Sequence, residues 1–379
     1  NDMKGKQGLV CMGLLLVLSS CHTGKQITAS GLQRKDFQTE VNGQHTDLFT
    51  LSNKQGMEVC ITNYGARVVS ILVPDRNGKR EDVVCGFSTI TEYMEQRQNF
   101  GSTVGRYIGR ILNARFTLDG VEYKLVPNNG KSGHISHGGN PGFADRIWKV
   151  EQADTHRVRL SYLSPDGENG FPGNLKVTLV YSLGEDDNAL DLTYEATTDA
   201  PTVLNLSHHS FFNISGNFTK SVEDQQLWVD ADRFTPYDDK KCVTGEYLPV
   251  AGTPLDFRMP HTIGECIDAD HPQLKVVNGY DHTWELNTKG DDTRPAAWVY
   301  DPASGRKMEI FTTEPGMQIY TGNGLKGKMT GKGGIAYPFR SAVCFETMHF
   351  QDSPNQPGFP STVLRPGEVF RSHTVYKFE

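Results

Sequence analysis

No run of Lys and Arg interrupts the mild acidity of this 379-residue chain, whose formal net charge is −7. A protein that grips a phosphate backbone needs clustered cations, so nucleic acid is excluded as the main partner and a small neutral ligand fits better. No CxxC occurs among the seven cysteines, and the spacing spells out neither a zinc site nor a disulfide framework. Helical periodicity is scarce and no fixed repeat stands out. Long apolar runs are missing too: the longest, near the amino terminus, falls short of the roughly 20 residues a membrane span requires. What remains is ample apolar material, 37% hydrophobic and 10% aromatic, for a large buried core.

The start, "MKGKQGLVCMGLLLVLSSC", sets Lys4 and Lys6 before an apolar stretch from Leu9 to Leu18 and small residues before Cys21. This is the pattern of an export signal over residues 1–20. "LSSC" resembles the lipobox of bacterial lipoproteins, in which the mature chain begins at a lipidated cysteine and is anchored to a membrane without spanning it. The expectation is a lipid-modified Cys21 and a polar tether over residues 21–35, followed by one domain over residues 36–379. The chain is then an exported lipoprotein facing the periplasm, with His22 after the cysteine favouring the outer membrane. The remaining five cysteines (Cys60, Cys85, Cys242, Cys266, Cys344) read mostly as small buried hydrophobes.

Beyond residue 36, alternation of period two dominates: "MEVCITNYGARVVSILV", "RVRLSYL", "LKVTLVYSL", "ALDLTYEAT", and "ARFTLDGVEYKLV" with Asp119-Gly120 as a two-residue hairpin turn. The best helix candidate is "STITEYMEQ" over residues 88–96, capped by Ser88. Many strands without crossover helices predict an all-β fold, a large antiparallel β-sandwich.

Several segments set ionisable or amide side chains among apolar residues and glycine, where a bland strand avoids them. They are "GRYIGRILNARF" (Arg106, Arg110), "ISHGGNPGF" (His137), "LNLSHHSFFNISG" (His208, His209), "NGYDHTWEL" (Asp281, His282), "GMQIYTGNG" (Gln318, Asn323) and "AVCFETMHF" (Glu346). Neighbouring strand residues face opposite ways, so His208 and His209 pose separate questions. Each is open to a structural role, to metal ligation (which "HISH", with His134 and His137, keeps alive) and to acid/base work near neutrality. Glu346 is the hardest to dismiss, because apolar neighbours disfavour its charged form and raise its pKa toward a useful range.

These motifs, with "SPDGENGFPG" and "NQPGFPSTVLRPGE", occur in the order found in the aldose 1-epimerases, the galactose mutarotases, which the chain resembles from Asp36 to Phe378. The resemblance implies an antiparallel supersandwich of the galactose-mutarotase type and an isomerase that exchanges the α and β anomers of free hexoses such as galactose and glucose. It implies Glu346 as catalytic base and His209 as catalytic acid. Arg110, His137 and Asp281 would hold the sugar, with Gln318 a further polar contact. No cofactor and no metal are implied, and a monomer is expected. His208 stands where many relatives carry an amide. Many also carry an asparagine before the arginine, where this chain has Gly109, so a wider cleft and weaker binding of simple aldoses are expected. A sugar-binding lipoprotein without catalysis should lack the acid or the base, whereas both are present. A glycoside hydrolase ordinarily uses two carboxylates, and a sugar-phosphate epimerase would show extra cations at the cleft.

Overall fold

The computed structural model describes residues 25–379; Cys21 and the export signal lie outside the described residues. The alternating segments form antiparallel strands. Leu175–Leu183 buries every second residue and pairs in full register with Arg157–Ser164 on one side and Ala189–Thr198 on the other. Period-two patterning dictates this, since one face of each strand meets the core and the other meets water. These strands belong to a nine-stranded antiparallel sheet that runs from Lys149–Ala153 through Phe370–Phe378 to His261–Thr262. A six-stranded sheet and a four-stranded sheet pack against its apolar face, and their residues share one core that includes Ile61, Leu179, Trp284, Phe345 and Tyr376. The layers are also tied by hydrogen bonds: Tyr376 Oη donates to the Phe345 carbonyl at 2.9 Å, and the Thr347 and Thr374 hydroxyls lie 2.7 Å apart.

The hairpin at Asp119-Gly120 forms as expected, with Leu118 opposite Val121 and both turn residues at positive φ. The short helix is Ile90–Gln96, and its cap is Thr89, not Ser88. Thr89 lies three residues before Glu92, so hydroxyl and carboxylate can each bond the other's backbone N–H, a reciprocal box that Ser88 is one residue too early to form. A second helix, Pro272–Val277, carries no strong apolar period and was not expected. Residues 25–35, expected from composition as part of a polar tether, are folded onto the domain. From Lys25 onward the chain is packed on the domain: the backbone N–H groups of Ala29 and Ser30 donate to the buried carboxylate of Glu58 at 3.0 and 3.1 Å, and Leu32 and Phe37 enter the core. Hydrogen bonds to a charged group, each worth about 1.5–3 kcal/mol, hold a stretch whose own side chains give no sign of it.

The six-stranded sheet positions the polar groups of the cleft. Its strand Val343–Met348, second from one edge, is buried on both faces. Val343 and Phe345 point into the core, so Cys344, Glu346 and Met348 point out of the opposite face, beneath a layer of loops and short strands.

Candidate active site

Three neighbouring strands line up polar side chains on that outer face. Thr283 of Asp281–Glu285 stands opposite Gln318 of Gly316–Tyr320, and Gln318 stands opposite Glu346. The alternate residues Trp284, Met317 and Ile319 fill the core, so the same pleat that builds the sandwich aims these groups into a cleft. The cleft encloses about 270 Å³ and is lined by Arg110, His137, His209, Tyr237, Asp281, Gln318, Glu346 and Gln351, among others. That is near the small end of ligand sites and suits a single sugar ring. All six residues that the sequence nominated for catalysis or binding meet here.

The adjacent histidines separate as strand geometry requires. Ser207–His209 pairs with Ser102–Val104. His208 turns inward, its Nε2 2.6 Å from Ser210 Oγ and its ring beside Tyr181 and Tyr376, and burial pushes it down to about 3. It is a neutral structural histidine. His209 faces the cleft, stacked on Phe211 with ring centroids 5.1 Å apart, and its Nε2 lies 3.4 Å from Glu346 Oε1. Burial, reinforced by nearby Asp281, raises Glu346 well above the usual carboxylate range. Burial, reinforced by His137, depresses His209. The sequence suggested a carboxylate beside an imidazolium; in the enclosed cleft, loss of hydration opposes both charges, and the pair's single proton is drawn toward the carboxyl group.

The remaining groups are oriented by the loops that carry them. His137 adopts φ +52° and its Nδ1 accepts from Gly109 N–H at 3.2 Å, so its proton sits on Nε2, the nitrogen left to donate. Burial and Arg110 push it down to about 4, keeping it neutral. Arg110 pairs across a two-residue ladder with Ser136 and donates to the Lys241 carbonyl at 3.0 Å. Gln318 donates to Asp281 Oδ1 at 2.7 Å while its own Oε1 accepts from the Thr283 hydroxyl.

Other nominated groups are not in the cleft. The Arg106 guanidinium is buried and donates to four backbone carbonyls, those of Ser164, Pro165, Pro172 and Gly173. Asn323 donates to the Tyr280 carbonyl and braces a turn. His134 accepts from Asn113 N–H on Nδ1 and has Cys242 Sγ 3.4 Å from Nε2, so it does not join His137 in a metal site. Another set of metal-ligand type is present: ligating atoms of His209, Cys344 and Glu346 lie within 4.8 Å of one another. Burial and Glu346 raise the Cys344 thiol well above its ordinary value, so beside this pair it is a neutral thiol. The arrangement suits a proton-transfer pair resting on a neutral thiol.

Gly109 departs from its expected role. It has φ +76°, and a Cβ there would stand 2.5 Å from Gln351 Cγ. The space is filled by Gln351, not opened to a larger ligand. Tyr237 and Gln351 line the cleft but were not nominated from sequence, since "FTPYDD" and "FQDSPN" read as ordinary turn chemistry.

Comparison with known proteins identifies the family. Residues 47–377 match the aldose 1-epimerase family model. The chain is 39% identical over 330 residues to a galactose mutarotase of Sus scrofa, covering 87% of this chain and 93% of the relative. It is 36% identical over 339 residues to an aldose 1-epimerase of Escherichia coli K12, covering 89% and 96%. Among solved structures, an aldose epimerase homologue from C. elegans superposes with TM-score 0.81 at 31% identity, over 88% of this chain and 99% of that one. A galactose 1-epimerase from Lactobacillus acidophilus gives TM-score 0.78 at 28% identity, over 90% and 96%. The chain therefore belongs to the aldose 1-epimerase family, and its activity is that of an isomerase at the anomeric carbon of an aldose.

Proposed function

We propose that Glu346 and His209 carry out this isomerisation on a free hexose such as galactose or glucose, with Arg110, His137, Asp281 and Gln318 holding the ring. The observation that carries the reading is the Glu346–His209 pair, 3.4 Å apart on the floor of a cleft lined with hydrogen-bonding groups. As a carboxylate, Glu346 takes the proton of the C1 hydroxyl. The O1 electrons form the carbonyl, the C1–O5 bond breaks, and its electrons go to O5 together with a proton from His209. Rotation about C1–C2 presents the other carbonyl face. On reclosure His209 takes the O5 proton back and Glu346 returns one to O1. No covalent intermediate and no cofactor enter this scheme.

Only one proton distinguishes the working pair from a fully deprotonated one, and shifting it between Glu346 Oε1 and His209 Nε2 requires no exchange with solvent. The neutral His137 offers Nε2–H to a sugar oxygen, and the Asp281–Gln318 pair offers an acceptor and a donor in fixed orientation. The test is polarimetry on freshly dissolved α-galactose and α-glucose with purified protein. Rotation that decays no faster than the uncatalysed control with both sugars would overturn the assignment.

For location, the reading is an exported lipoprotein, lipidated at Cys21 and facing the periplasm. The residues 4–21 pattern supports it, and a domain packed from Lys25 would then sit close to the membrane. Full-length protein should partition into detergent, and Cys21→Ser should release it or block maturation. Unaltered membrane association in that variant would count against lipidation.

A further inference from the structure

We infer that Tyr237 is a substrate-binding residue whose hydroxyl donates to an oxygen of the aldose on the part of the ring remote from C1. This rests on the epimerase reading above and deepens it by adding a determinant of which sugar is accepted. Tyr237 is 5% exposed and lines the cleft. Its backbone is clamped by the Gln273 side chain, which accepts from Tyr237 N–H and donates to the Tyr237 carbonyl, each at 2.8 Å. The phenol therefore stands on a fixed support.

The direction of its proton follows from hydrogen-bond accounting. Gln318 must turn its amide nitrogen toward the Asp281 carboxylate, and the same nitrogen donates to Tyr237 Oη at 3.3 Å. Gln351 must turn its carbonyl oxygen toward Arg110 N–H at 3.2 Å, which leaves its nitrogen to donate to Oη at 2.8 Å. The Arg110 N–H fixes the Gln351 amide, and the Asp281 carboxylate together with the Thr283 hydroxyl, which donates to Gln318 Oε1, orients the Gln318 amide. Oη accepts twice, both lone pairs are taken, and its single O–H needs an acceptor. His282, whose ring centroid lies 5.2 Å away, does not supply one: its Nδ1 accepts from Asp281 N–H, so its Nε2 carries the proton. Among the described residues the two carboxamides are the hydrogen-bond partners of Oη. A buried donor without an acceptor is costly, and the open direction is the cleft.

The position then selects the atom. Gln318 stands between Tyr237 and Glu346, so the phenol reaches the side of the ring away from the reacting C1 and O5. With its lone pairs occupied it offers only a donor, and it discriminates in favour of a sugar that presents an oxygen there.

The test compares wild type with Tyr237→Phe on an aldose and on its 2-, 3-, 4- and 6-deoxy analogues, reading kcat and KM by polarimetry. Tyr237→Phe should raise KM about 5- to 10-fold on the parent sugar, the worth of one hydrogen bond, with a smaller change in kcat. On one deoxy analogue the wild type should lose the same factor and the variant should lose nothing further. Gln351→Leu, which keeps the phenol but removes one of the donors that aim it, should give the same selective loss at reduced size. Equal losses by Tyr237→Phe on every analogue, or no change of KM on any, would overturn the proposal. Failure of the wild type to accelerate mutarotation at all would instead overturn the epimerase reading beneath it.

Discussion

Replacing Gly109 by asparagine tests whether this cleft is open or rebuilt at that corner. If the glycine simply leaves room, an added amide should gain a hydrogen bond to the sugar and lower KM. The structure predicts the opposite. Asparagine tolerates the left-handed backbone at φ +76°, but its Cβ would meet Gln351 Cγ at 2.5 Å and Cδ at 3.0 Å. Gln351 must swing away, and it then loses the bond from Arg110 N–H and the one to Tyr237 Oη. Both bonds lie within the protein, so their loss reaches the sugar only through the released Tyr237 phenol, and KM should rise by no more than the worth of that one hydrogen bond, about 0.5–1.5 kcal/mol, on the order of 2- to 10-fold at tenfold per 1.4 kcal/mol. Initial-rate polarimetry on α-galactose gives KM and kcat, and kcat should fall far less because neither Glu346 nor His209 is touched. Gly109→Asn combined with Gln351→Ala should be no worse than Gln351→Ala alone, because both changes remove the same two bonds, a non-additivity that independent sites would not show. A lower KM for Gly109→Asn alone would refute the reasoning.

Glu346→Gln should reduce kcat by about 10²- to 10⁴-fold while sugar binding persists, as seen by thermal-shift titration; near-normal turnover would remove Glu346 from its role. His209→Asn should be similarly severe and His208→Asn much milder, and reversed severities would exchange the two histidines. The acid limb of kcat/KM should lie below the ordinary histidine value of 6.5 and the alkaline limb above the ordinary carboxylate value of 4.5, because burial depresses His209 and raises Glu346; an acid limb at or above 6.5, or an alkaline limb at or below 4.5, would contradict this. EDTA should leave the rate unchanged, and loss restored by zinc would make the His209–Cys344–Glu346 cluster a metal site. His373 is held at both ring nitrogens by Asp191 and Asp292, 2.6 Å from each, and is raised to about 9. Its charged form therefore stabilises the fold fully below 6.5 and less as pH rises through 9, so the thermal midpoint should fall over that window in wild type and change less in His373→Gln.

Fold and site were legible from sequence to different degrees, for physical reasons. Strands such as Leu175–Leu183 announce themselves because burying one face imposes a period of two on the residues. Glu346 and Gln318 were legible because a strand buried on both faces has no bland use for a carboxylate or an amide. Tyr237 and Gln351 sit in loops, where polar and aromatic residues are ordinary, and their meaning arises only when residues 114 positions apart are brought within 2.8 Å. Gly109 was misread for the same reason: the sequence shows a missing side chain, while the group that takes its place comes from residue 351. The segment from Lys25 was likewise hidden, since what pins it is Glu58 on a distant strand.

The preference of the cleft for uncharged groups bears directly on the proposed chemistry. With the ring closed, the scheme requires Glu346 as carboxylate and His209 as imidazolium. Once the ring has opened, Glu346 has gained the O1 proton and His209 has given one to O5, so both are neutral. Burial that raises the one and depresses the other therefore favours the protonation state that accompanies the open-chain sugar. Stabilisation that grows along the reaction coordinate lowers the barrier, whereas stabilisation shared by substrate and intermediate does not. The 3.4 Å separation keeps the cost of the charged state down, because the two charges attract each other wherever water cannot. The two anomers enter and leave with the pair in one and the same state, so a single arrangement serves both directions, as an enzyme that only equilibrates its substrates requires.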